Sequence, residues 1–278
     1  MILPAGRRAL ILLAAFLTAC ALWLTAQFVL RQNADAYQER VHTEVREKLT
    51  LLRSRLEGHL NGNMLLVQGL VSVVAAKPGL GQADFERFAK PLFAGRMQLR
   101  NIGAAPDMVI RMMHPLAGNE KAIGFDYRKS PVQWAAAERA RDTRELVLAG
   151  PLPLVQGGTG IIGRIPVFVD GADGRSRFWG LVSAVIDVER LYRDSGVLDD
   201  HGLEIALRGK DGTGARGEVF FGDPALFPGD GEKVDVALPS GFWQMAGRPR
   251  GGWPTSAPDA PLLWLGFALA GVFLLGPC

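Results

Sequence analysis

Residues 115–170 read PLAGNEKAIGFDYRKSPVQWAAAERARDTRELVLAGPLPLVQGGTGIIGRIPVFVD, and the order of signals in this stretch decides the fold. Ser130-Pro131 is a cap residue followed by proline at the first helical position, and the Ala, Glu and Arg run through Arg144 has high helix propensity. Glu145 to Gly150 and Gly160 to Val169 are apolar and β-branched between Gly and Pro, which predicts two short strands. Gln156-Gly157-Gly158-Thr159-Gly160 joins them. No Lys-Ser/Thr and no helix follows that loop, so it reads as a hairpin turn needing positive φ and not as a phosphate cradle.

Upstream, Gln82 to Ala94 predicts a helix with Phe85, Phe88 and Phe93 on its buried face. Leu99 to Met113 predicts two strands broken at Ala104-Ala105-Pro106-Asp107. Downstream, FWGLVSAVID from Phe178 to Asp187 is the clearest strand, and Asp187 caps a short helix beginning at Val188. Past Asp199 come short strands at 202–207, 217–221, 234–238 and 242–246, punctuated by Lys210-Asp211-Gly212 and Pro228-Gly229-Asp230-Gly231. They predict a second small sheet.

The ends are apolar. Ala9 to Leu30 is uncharged and as a helix would be about 33 Å long, enough to span a bilayer. Arg7-Arg8 before it place the N-terminus in the cytoplasm and the bulk of the chain outside. Leu17-Thr18-Ala19-Cys20 has the local look of a lipoprotein site and Ala26 that of a signal-peptide end, but ten apolar residues follow Cys20, which favours an uncleaved anchor. From Arg31 to Lys77, Val41, Val45, Leu49, Leu52, Leu56, Asn63, Leu66 and Leu70 make a heptad-like stripe. It reads either as a dimerising stalk or as a face packed on its own domain. At the other end, Pro261 to Gly276 is expected to be a second membrane helix, whole or cut short, behind Trp253, Pro254 and Pro258.

The 278 residues are 48% hydrophobic with a net charge of +3. Scattered charge of that size argues against nucleic-acid binding. Two cysteines, Cys20 and Cys278, exclude a disulfide framework and a cysteine-built zinc site. His42, His59, His114 and His201 lie at no metal-ligand spacing and read as solvated or hydrogen-bonded side chains. Neither a nucleophile motif nor a Walker loop occurs, so an enzyme is not expected, and no cofactor is implied.

Arg164 shares a strand face with Ile162 and Pro166. If that face is buried, the guanidinium needs an anion: an internal carboxylate such as Asp126, or a carboxylate or phosphate on a ligand. Asp126 and Tyr127 are candidate pocket residues, or they order the loop before the helix. Phe125 and Trp134 would wall a pocket or fill a core.

Pro115 to Glu120, Ile123 to Asp126, Ala140-Arg141-Asp142, Leu148 to Pro151 and Arg164 to Phe168 resemble, in order and spacing, the signature of the CHASE domain. That module is the extracytoplasmic sensor of receptor histidine kinases, nucleotide cyclases and plant cytokinin receptors, and the likeness covers roughly Phe85 to Leu191. It implies an α/β fold of the α+β kind: a long membrane and stalk helix, tandem PAS-like units with antiparallel sheets, then a C-terminal transmembrane helix. The expected segments are 1–8 cytoplasmic, 9–30 transmembrane, 31–77 stalk, 78–198 membrane-distal unit, 199–258 membrane-proximal unit and 261–276 second span. The resemblance puts the family's ligand-binding aspartate at Gln133, its pocket threonines at Ala149 and Arg164, and a backbone-contacting leucine at Val155. Ala149 cannot hydrogen-bond through its side chain, so an adenine-type cytokinin is not the expected ligand. The implied protein is an inner-membrane receptor with a periplasmic sensor, a small-molecule ligand, a homodimer formed through the stalk and a downstream output domain. The alternative is an anchored scaffold whose outer domain binds another protein.

Overall fold

The computed structural model describes residues 5–95, 98–154, 157–171 and 173–275. Contacts divide the chain into 1–45 together with 249–278, and 46–248.

The larger unit is built on two sheets. In the first, β1 (Leu99–Pro106), β2 (Met112–His114), β3 (Val147–Pro153), β4 (Thr159–Asp170) and β5 (Ser176–Asp187) take the order β2-β1-β5-β4-β3, with every neighbouring pair antiparallel. The β3–β4 hairpin closes where Gly157 and Gly158 take φ of 86° and 76°, as the glycine run predicts. β1 passes through Ala104-Ala105 without a break. The chain turns one step later, where Asp107 and Met108 are left-handed.

Each face of this sheet is covered. On one side lies the part of α1 (Ala5–Ala76) that follows Arg46. Gly163 on β4 sits so close to Met64 that a Cβ would collide with its sulfur. On the other side lies α3 (Pro131–Thr143), with Gln133, Ala137 and Ala140 facing inward at helical spacing. Ser130 is its extended N-cap, and Arg144, left-handed at φ 62°, closes it. Ala105, Met108, Ile110, Met113, Tyr127, Val147 and Leu181 fill the layer beneath α3.

α2 (Gln82–Ala89) buries Phe85 and Ala89, while Phe88 is 38% exposed and Phe93 is half-buried on the 3-10 turn that follows. The expected three-phenylalanine face is therefore wrong: burial centres on 85 and 89, and 88, about 100° round the helix from 89, falls at the rim of that face. Asp187 caps α4 (Val188–Ser195) by accepting from the Arg190 N–H at 2.9 Å.

β6 (Leu203–Arg208), β7 (Val219–Phe221), β8 (Glu232–Leu238) and β9 (Gly241–Pro249) form the second sheet, in the order β7-β6-β9-β8. α1 reaches this sheet too: a Cβ on Gly247 would come within 2.8 Å of Leu49, and Glu57 accepts from the Ala237 N–H at 2.7 Å. Leu49, Leu52, Leu56, Leu60, Asn63, Met64, Val67, Leu70 and Val74 are all buried. Leu66, assigned to the stripe from sequence, is 39% exposed and Val67 takes its place. An α-helix drifts about 20° per heptad from a 3.5-residue repeat, enough to hand the buried position on by one residue.

The smaller unit pairs the start of α1 with α5 (Ala260–Leu275). Ala19, Trp23 and Ala26 share a crevice with Trp264, Ala268 and Gly271. Asn33 donates to Asp259 at 2.7 Å, Gln38 to the Pro254 carbonyl at 2.9 Å, and His42 stacks on Trp253 at 3.7 Å. The N-terminal part of α1 is long and apolar enough to cross a membrane. α5 is apolar but has only 16 residues, short of the ~20 that a bilayer core asks of a helix. The expected second transmembrane helix is here a short apolar helix.

Candidate ligand-binding site

The register of the first sheet puts Met113, Gly103, Ser183, Arg164 and Val147 opposite one another across β2, β1, β5, β4 and β3. The row below runs Asn101, Val185, Ile162 and Ala149. Gly103 contributes no side chain; Met113 Cε stands 3.1 Å from where its Cβ would be, and the two help to line a cavity of about 40 Å³ beneath α3. A single water needs about 10–15 Å³ by this measure, so the hollow as it stands holds about three waters, and a larger guest has to move a lining side chain. Asn101, Tyr127, Gln133 and Ser183 supply the polar wall; Ile110, Met113, Phe125, Leu154, Ile162 and Val185 the apolar one. Few polar groups set in an apolar hollow is the usual make-up of a ligand site.

Each polar group is held. Tyr127 donates its hydroxyl to Ser183 Oγ at 3.0 Å, and its ring meets Phe125 edge-on at 5.5 Å. Asn101 Nδ2 donates to Asn119 Oδ1 at 2.8 Å, and Asn119 in turn donates to the Pro115 carbonyl at 3.0 Å. Arg164 is fully buried, and its Nη2 donates to Gln133 Oε1 at 2.8 Å. That bond fixes the amide: its oxygen faces the cation, leaving Nε2 as a donor.

Arg164 lies directly behind this wall, with its guanidinium 5.5 Å from the centre of the Tyr127 ring. Burial pushes its pKa down from the ordinary value, while Tyr127 and the Asp211 carboxylate pull the other way. Its Nε and Nη1 find no acceptor among the described residues. The expected ion pair with Asp126 does not form. Asp126 caps a 3-10 turn by accepting from the Arg128 N–H at 3.1 Å and from Arg128 Nε at 2.8 Å, and Arg128 holds its carboxyl below the usual carboxylate range. A partner two residues away closes a far shorter loop than Arg164 does.

The six residues singled out from sequence thus separate. Gln133 and Tyr127 line the cavity, and Arg164 contacts both. Ala149 is buried among Leu152, Leu154, Ile162 and Val185, outside the lining. Asp126 faces away to Arg128. Val155 lies outside the described residues. Sequence reasoning passed over Asn101, Asn119 and Ser183, three buried polar residues; for Asn101 and Ser183 the signal was a polar residue at an inward position of an otherwise apolar strand, while Asn119 caps a 3-10 turn and carried no such signal. His114, read from sequence as solvated or hydrogen-bonded, is 8% exposed, and among the described residues its Nδ1 has no hydrogen-bond partner and stands 3.7 Å from Glu86.

A long helix, a five-stranded antiparallel sheet with its covering helix and a second, smaller sheet give the mixed α/β fold that the sequence predicts. Residues 106–221 match the family model of the CHASE domain.

Solved structures agree in fold. An extracellular ligand binding receptor from Desulfohalobium retbaense superposes with a TM-score of 0.52 at 16% identity over 74% of this chain, which spans only 39% of that receptor's length. The ligand-binding domain of the Pseudomonas aeruginosa amino acid chemoreceptor PctC, solved with GABA, gives 0.51 at 18% identity, covering 71% of this chain and 95% of that domain. That of PctB, solved with L-Arg, gives 0.51 at 15% identity, covering 82% and 98%. No curated protein matches the chain in sequence.

Proposed function

We propose that this chain is the sensing portion of an inner-membrane receptor, anchored by the apolar start of α1, with residues 78–258 in the periplasm as a distal unit (78–198) and a proximal unit (199–258). A small molecule binds beneath α3, and its occupancy biases the placement of α1 against the return segment that leads to α5, passing a two-state change to an output domain or partner. The observation that carries this reading is the cavity over Gly103, walled by Gln133, Tyr127, Ser183 and Asn101. A scaffold that binds only another protein needs no such hollow. The CHASE match and the shared fold of the PctC and PctB domains support the receptor reading. A homodimer along α1 would use the outward face that exposes Leu51 and Leu65, because the opposite face is packed on its own chain.

The test is a thermal-shift screen of the full chain in detergent against a broad metabolite panel, with Gly103→Leu as control. A compound that stabilises the wild type and not the cavity-filled variant supports the reading. A panel with no stabilising compound refutes it.

A further inference from the structure

Arg164 poses a chemical problem that the chain leaves open. A guanidinium with no exposed surface ordinarily faces a carboxylate, because an isolated buried cation costs several kcal/mol. Here the side-chain acceptors it meets are neutral, the Gln133 amide oxygen Oε1 at 2.8 Å and the Tyr127 hydroxyl, and Nε and Nη1 have none among the described residues. The nearest candidate from sequence, Asp126, is committed to Arg128. Asp211 acts on Arg164 only through its field, while its Oδ1 accepts from the Gly150 N–H at 2.7 Å.

The Gln133 carboxamide is planar and has the shape of a carboxylate. It sits at Nη2, the nitrogen shared by both bidentate edges of a guanidinium, and it lines the cavity. A ligand carboxylate that displaced it would make two parallel charge-assisted bonds where the amide makes one. The displaced amide, with Ser183 and Tyr127, would still have donors to offer.

The rest of the lining narrows the class further. It contains no Asp or Glu among the described residues, so a ligand ammonium would be buried without a counter-charge. Met113, Leu154, Ile162 and Val185 offer instead a surface for a short apolar tail. Resting on the receptor reading above, we propose that the ligand is a small monocarboxylate with an apolar tail, its head paired with Arg164 and its body over Gly103, and that it carries no amino group.

The experiment uses the full chain in detergent and follows its melting by tryptophan fluorescence with propionate, butyrate, butyramide and GABA. Propionate or butyrate is expected to raise the Tm by about 5 °C or more at a hundredfold excess over Kd. Butyramide, which lacks the charge, and GABA, which adds an ammonium, are expected to leave it unchanged. Arg164→Met should lose the butyrate response while melting no lower than the wild type without butyrate, since it removes an underpaired buried charge. If that variant does not fold, Arg164→Lys should keep a butyrate response at roughly tenfold weaker affinity. Butyramide or GABA stabilising as well as butyrate does, or no response to either carboxylate, overturns the proposal. A different neutral compound whose effect Gly103→Leu abolishes would overturn it too, yet leave the receptor reading standing.

Discussion

Asp211, left-handed at φ 60° on the turn after β6, accepts a hydrogen bond from the backbone N–H of Gly150 on β3 at 2.7 Å. Ser240, beside it in space, accepts from the Leu148 N–H at 3.0 Å. Two loops of the second sheet thus satisfy the edge of the first, and the Asp211 carboxylate acts on Arg164 through its field. On the reading proposed above, a ligand that moved Gln133 or Arg164 would act on the second sheet through Asp211.

Asp211→Ala should destabilise the chain by about 1–3 kcal/mol, because it leaves the Gly150 N–H without its acceptor and places a Cβ-bearing residue with no helpful side chain in the left-handed region. Asp211→Asn keeps both an acceptor and a residue tolerant of that region, so it should cost well under half as much. Denaturant unfolding of the two variants checks the ordering.

The buried stripe of α1 predicts a contrast between its two faces. Leu56→Ala, at a position with no exposed surface, should cost about 2–5 kcal/mol, whereas Leu65→Ala, at 70% exposure, should stay within about 0.5 kcal/mol. Had the stripe served only to pair two copies, Leu56→Ala would shift the oligomeric state at unchanged subunit stability. Unfolding curves and light scattering on the same samples separate the two.

His114 predicts a pH slope. Burial holds its imidazole below the ordinary value of 6.5, against the pull of Glu86 and with the help of Lys90. Its folded pKa is therefore depressed, and as pH falls below about 6.5 the unfolded chain binds the proton first. Stability present above that pH should decline from there down to the folded pKa. His114→Gln should flatten this part of the profile of Tm against pH and leave unchanged the separate loss below about pH 4, where Asp84, Asp126 and Asp173 give up their depressed pKa values.

In the smaller unit, the 2.7 Å bond between the side-chain ends of Asn33 and Asp259 predicts that cysteines at these positions lie within reach of a short bis-methanethiosulfonate cross-linker. Asn33→Cys with Asp259→Cys, in a chain whose Cys20 and Cys278 are replaced by Ala, should cross-link within one molecule in native membranes when that reagent is added. Gel mobility before and after reduction reports it.

Most of the fold was legible because its signals are local. The Ser130-Pro131 cap, the glycine hairpin and the Phe178 to Asp187 run each encode an element within a few residues, and the alternation of β4 placed Arg164 on an inward face. Less was legible where the outcome depends on competition between partners. Asp126 had a choice between a cation two residues away and one 38 residues away (164 − 126), and composition cannot weigh loop closure against burial. Asn101 and Ser183 become pocket residues only once the register of β1 on β5 sets them beside the gap at Gly103. The step from Leu66 to Val67 depends on helical drift, which a heptad reading suppresses.

The most direct measurement is an experimental structure of the full chain with the compound that stabilises it best. The account predicts that compound beneath α3, over Gly103, with a polar atom hydrogen-bonded to Gln133 or Arg164. Finding it elsewhere, for example in the groove between Glu86 and His114, with the space over Gly103 unchanged, would contradict the account.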